Sequence, residues 1–107
     1  MIFDKIIDVE KIFLGDYDLL VRVKKLKGGK VIMLENSESQ ISENANEYAE
    51  IVISGDLVNK EKFAKGNIIL GINGRGGKAF NNDGIKYIVM QIHSVGIMVT
   101  PDNFKAK

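Results

Sequence analysis

The chain has 107 residues, 45% of them hydrophobic, with fifteen basic and fourteen acidic side chains and a net charge of +1. That length suits one domain spanning residues 1–107 that buries roughly two-thirds of its unfolded surface, and the near-neutral charge gives no general attraction for nucleic acid. With no cysteine and one histidine, disulfides, thiolate metal sites and multi-histidine clusters are excluded, and no cofactor is expected.

In chain order, Met1-Ile2-Phe3-Asp4-Lys5-Ile6-Ile7-Asp8 interrupts its apolar residues with charges too early for a signal peptide. No later apolar run approaches membrane-spanning length, so a soluble, cytoplasmic protein is expected. Leu19, Val21 and Val23 alternate with Leu20, Arg22 and Lys24, which predicts a strand over Asp18–Lys25 with one covered face. Arg22, Lys24, Lys25, Lys27 and Lys30 form a basic run, and Glu35, Glu38, Glu43, Glu47 and Glu50 follow with no intervening cation. Charge runs of this kind read first as solvated surface.

Between Leu26 and Tyr48 the composition turns polar around one compact apolar run, Val31-Ile32-Met33-Leu34. Such a stretch buries too little apolar surface to offset the entropy of ordering it, which predicts a long mobile loop over about residues 25–48. Loops of that length in small domains usually serve binding. The apolar run reads either as a core strand or as an anchor for a groove on another protein. Its polar flanks and Gly28-Gly29 favour the anchor, because an exposed, unpaired apolar run is otherwise a liability.

Further short β-branched runs occur at Glu50-Ile51-Val52-Ile53-Ser54, Asn67-Ile68-Ile69-Leu70, Tyr87-Ile88-Val89-Met90 and Val95-Gly96-Ile97-Met98-Val99, punctuated by glycines. The pattern predicts a mainly β fold, a small closed or partly open barrel. Gly74-Arg75-Gly76-Gly77-Lys78 suggests a phosphate cradle superficially. It lacks the Lys-Ser or Lys-Thr ending and the helix of a P-loop, so a structural turn is the better reading. His93 and Ser94 are adjacent and would point to opposite strand faces, which does not make a base and nucleophile pair. Asp16 and Asp18 would share one face if both lay on a strand, but paired carboxylates without a second constellation are weak evidence for acid and base chemistry. No enzyme is assembled from these parts.

From Gly66 to Val99 the order and spacing resemble the GroES-type co-chaperonin family. The parts are the Lys65-Gly66-Asn67 turn, the strand Ile68-Ile69-Leu70, Gly74-Arg75-Gly76-Gly77-Lys78, the Asn82-Asp83-Gly84 turn, the strand Tyr87 to Met90, and Val95 to Val99. Upstream, Asp18 to Lys24 resembles the family's first barrel strand, and Tyr48 to Gly55 the strand after its mobile loop. The resemblance covers about Lys11 to Val99 and implies a small GroES-like β-barrel with a long mobile loop. It further implies a ring of about seven subunits that caps an ATP-driven, GroEL-type chaperonin, with no chemistry, nucleic acid or membrane of its own. Val31, Ile32 and Met33, with Leu34, would bind the chaperonin's apical domains. Ile12, Phe13 and Leu14 of one subunit would pair with Ile97, Met98 and Val99 of the next.

The chain also departs from the common pattern. The segment of about residues 56–65 is shorter than the usual roof hairpin, which implies an open dome. Arg75 takes a cavity-facing place commonly held by tyrosine, and the aliphatic run lies near the start of its loop. This trimming resembles phage-type co-chaperonins, which work in the host cytoplasm. Burying four apolar side chains contributes about 6 to 12 kcal/mol gross, while ordering a loop costs about 1 to 2 kcal/mol per residue. One loop therefore binds weakly, and several on one ring bind through high effective concentration. The alternatives are an OB-like barrel for single-stranded nucleic acid, drawing on Phe13, Tyr17, Phe63, Phe80 and Tyr87 for stacking, and a structural ring with no chaperonin partner.

Overall fold

The computed structural model describes residues 6–25, 47–70 and 77–104. Six strands form one antiparallel sheet: β1 (Asp18–Lys25), β2 (Glu47–Ser54), β3 (Ile68–Leu70), β4 (Lys78–Asn82), β5 (Ile85–Gln91) and β6 (Ile97–Val99), in the spatial order β4-β5-β1-β2-β3-β6. The only helical pieces among the described residues are single 3-10 turns at Val9–Lys11, Ile92–Ser94 and Pro101–Asn103. The mainly β domain expected from the sequence is present. It is an open sheet rather than a closed barrel, because β4 and β6 stand at its two edges.

β1 lies inside the sheet between β5 and β2, and both of its faces are covered. Leu19 and Leu20 are each 0% exposed, although neighbours on a strand point to opposite faces. The single covered face predicted from the alternation is therefore corrected. On the first face Leu19 and Val21 pack with Ile51, Ile69, Ile88 and Met90, and Val58 and Phe63 from the turn after β2 close the cluster. On the second face Leu20, Val52 and Tyr87 receive Val9, with Ile12 and Leu14 packed half-buried around them. Residues before β1 thus cover the face that the strand's own pattern would leave to solvent.

Local chemistry sets the connections. Val52 is the extra residue of a β-bulge, since Leu20 pairs with Ile53 and Val21 with Ile51. After β2, Lys60 Nζ donates to the carbonyls of Ser54 at 3.2 Å and Gly55 at 2.8 Å. Asn59 Oδ1 accepts from the amides of Glu61 and Lys62, at 3.0 and 3.1 Å. This short, self-bonded turn is what residues 56–65 form where the family resemblance implied a trimmed roof.

The β4–β5 hairpin turns on Asp83 and Gly84, with φ of 54° and 79°. Positive φ at both central residues of a two-residue loop matches the twist of the flanking strands. Asp tolerates this region and glycine adopts it freely. Gly84→Val places a β-branched side chain there. We expect a loss of about 1 to 2 kcal/mol, read as a lower thermal midpoint, whereas Asp83→Asn stays near wild type.

Candidate subunit-contact surface

β6 is a three-residue edge strand whose register on β3 pairs Ile68 with Val99, Ile69 with Met98 and Leu70 with Ile97. Pro101 ends the run at its far side by starting a 3-10 turn, having a fixed φ and no N–H to continue a ladder. Met98 packs against the first core cluster, while Ile97 is 40% exposed. The strand is therefore anchored by one side chain and presents a second apolar one at an edge that no other strand covers among the described residues, the geometry that invites another strand.

Ile12, Phe13 and Leu14 follow the turn at Val9–Lys11, with Ile12 in extended backbone at φ −77° and ψ 141°. Alternation then decides their exposure. Ile12 and Leu14 pack half-buried on the second face, and Phe13 is 99% exposed. Ile12 and Leu14 thus sit with the second cluster while Met98 packs against the first, and Phe13 and Ile97 are exposed, so the structure does not gather the expected contact residues into one site. Val31, Ile32, Met33, Leu34 and Arg75 lie outside the described residues, as do Gly28, Gly29, Gly74 and Gly76. Lys78, which ends the glycine-rich segment, is an exposed residue of β4.

Sequence reasoning missed two features of the second face. Glu50 on β2 stands opposite Arg22 on β1, with Oε1 at 3.7 Å from the Arg22 guanidinium and Oε2 at 3.3 Å from Lys24 Nζ. The Arg22 guanidinium also lies 5.8 Å from the centre of the Tyr87 ring. The two charge runs therefore meet where their ends are cross-strand neighbours, which only the strand register reveals. The second feature is how residues 7–14 are held. Ile7 N donates to Asn82 Oδ1 and Asn82 Nδ2 donates to the Ile7 carbonyl, both at 3.0 Å, and Lys65 pairs with Glu10. Nothing at a polar turn residue such as Asn82 signals a partner 75 positions away.

His93 and Ser94 are both exposed in the 3-10 turn after β5. Among the described residues no three His, Cys, Asp or Glu side chains are grouped to hold a metal ion, and no helix is long and apolar enough to cross a membrane. Of the five aromatics a stacking groove would draw on, Phe63 and Tyr87 are buried and Phe80 stacks on Tyr87 with ring centres 5.4 Å apart. Phe13 and Tyr17 remain exposed. Comparison of the chain with protein-family models, with curated proteins and with solved structures gave no match.

Proposed function

We propose that this protein is a co-chaperonin: a ring-forming lid that caps an ATP-driven, GroEL-type chaperonin and helps enclose folding clients. Val31, Ile32, Met33 and Leu34 are its chaperonin-binding residues, Arg75 faces the enclosed cavity, and the ring of about seven copies forms in the cytoplasm, that of the host if the chain is phage-encoded. The observation that carries this reading is β6, a short strand that pairs with β3 on one side and, among the described residues, has no partner on the other, with Ile97 exposed. An edge of that kind suits the head-to-tail contact by which identical subunits close a ring. The exposed Phe13 supplies an apolar group for the opposite side of such a contact.

Burial of Phe63 and Tyr87 and the stacking of Phe80 on Tyr87 count against the nucleic-acid reading, because stacking platforms need accessible rings. The test of the lid is co-sedimentation with a GroEL-type chaperonin, ideally that of the chain's own host, in adenine nucleotide. Wild type is expected in the chaperonin fraction. Ile32→Asp is expected to weaken each loop's contact about tenfold or more, which leaves assembled rings in the supernatant once the loss is repeated around the ring. Absence of wild type from the pellet would reject the lid, and capping by the variant would reject the anchor. Rings that form but never cap would identify a structural ring component.

A further inference from the structure

We propose that residues 7–14 form a strap that leaves its seat as one unit, ahead of the sheet, and that its release sets the rate at which copies of the chain assemble. The second half rests on the ring reading above. The strap is held at two polar clasps: the paired hydrogen bonds between Ile7 and the Asn82 side chain at one end, and the Glu10 to Lys65 ion pair further along. Both are exposed, and exposed ion pairs hold weakly.

Between and beyond the clasps, Val9 is the strap's only buried side chain, and Ile12 and Leu14 are half-buried. No strand of the sheet pairs with this segment. From Gly15 onward the chain is fixed differently. The Gly15 carbonyl accepts from Asp18 N at 3.1 Å, Asp16 O from Leu57 N at 3.0 Å, and Asp18 O from Gly55 N at 2.8 Å. A pivot therefore lies at Leu14–Gly15, between a weakly clasped segment and a firmly bonded one. Elements with few buried contacts and exposed hydrogen bonds open first.

The strap's side chains also carry a conflict that release resolves. Pairing with the open edge of a second copy needs the backbone of Ile12, Phe13 and Leu14 free to line up beside it, yet the seated side chains of Ile12 and Leu14 hold that backbone against their own sheet while Phe13 is 99% exposed. Phe13 provides the first contact with the second copy, and freeing the strap delivers its two neighbours.

Hydrogen exchange of the full chain, with assembly followed by light scattering, tests this. The amides of Ile7, Glu10 and Lys11 are expected to exchange well before those of Leu19, Leu20 and Val21. In Asn82→Ala, which removes two neutral hydrogen bonds, strap exchange should quicken about tenfold with β1 unchanged, and assembly should quicken with it. Lys65→Ala, outside the sheet, should do the same by about twofold. Strap amides exchanging in step with β1 would overturn the strap. A strap loosened in both variants with assembly still at the wild-type rate would overturn the gating while leaving the ring intact. If no form assembles, the ring reading and the gating fall together, and the exchange data alone decide whether the strap is a separate unit.

Discussion

Leu20→Ala should lower unfolding stability by about 2 to 5 kcal/mol, the usual cost of emptying a fully buried leucine site. Leu20 is 0% exposed on the face that the alternation of β1 would have left to solvent. It sits with Val52 and Tyr87 under Val9. Were that face solvated, the same change would cost no more than about 0.5 kcal/mol, as surface substitutions do. Urea unfolding of wild type and variant at one fixed chain concentration separates the outcomes, the fixed concentration being needed because assembly adds to apparent stability. Leu19→Ala on the other face should cost a similar amount. A large effect at Leu19 with none at Leu20 would mean that the second face is not covered.

Gly55→Ala is expected to be destabilising by about 3 kcal/mol, near the upper end for forcing atoms into a packed site. A Cβ on Gly55 would lie 2.1 Å from the Gly15 carbonyl oxygen and 2.5 Å from that of Asp16. Both obstacles are backbone, and the same backbone is tied down by the bonds from Gly55 N to Asp18 O and from Leu57 N to Asp16 O. Relief by a shift would break the corner that joins the start of β1 to the end of β2. Gly96 provides the contrast, since a Cβ there meets nothing within 4 Å. Gly96→Ala should stay within about 0.5 kcal/mol of wild type in the same denaturation experiment.

The strands legible in the sequence were those with a strong apolar or β-branched signal. Asp18–Lys25 was read with the bounds it has in the structure, and Tyr87 to Met90 falls inside β5. β2 begins at Glu47 rather than Glu50 because its first residues are paired through the backbone with Lys24 and Lys25, which composition does not record. β4 was missed as a strand for the same reason. Lys78-Ala79-Phe80-Asn81-Asn82 holds no β-branched residue, and its pairing with β5 is imposed by the Asp83-Gly84 turn.

The covering of the second face was also hidden. Ile12 and Leu14 are recognisable as apolar, but their seat is made by Leu20, Val52 and Tyr87 from three separate strands. Of the candidate contact residues, sequence identified apolar positions at both ends of the chain. It did not separate Phe13, which is exposed, from Ile12 and Leu14, which are packed at home. That separation depends on which way the segment lies across the sheet.

The most direct measurement is the native mass of the purified protein over a wide range of concentration. A closed particle of about seven chains is expected, which Ile97→Asp, by charging the edge of β6, returns to single chains. A wild-type protein that stays a single chain throughout would contradict it.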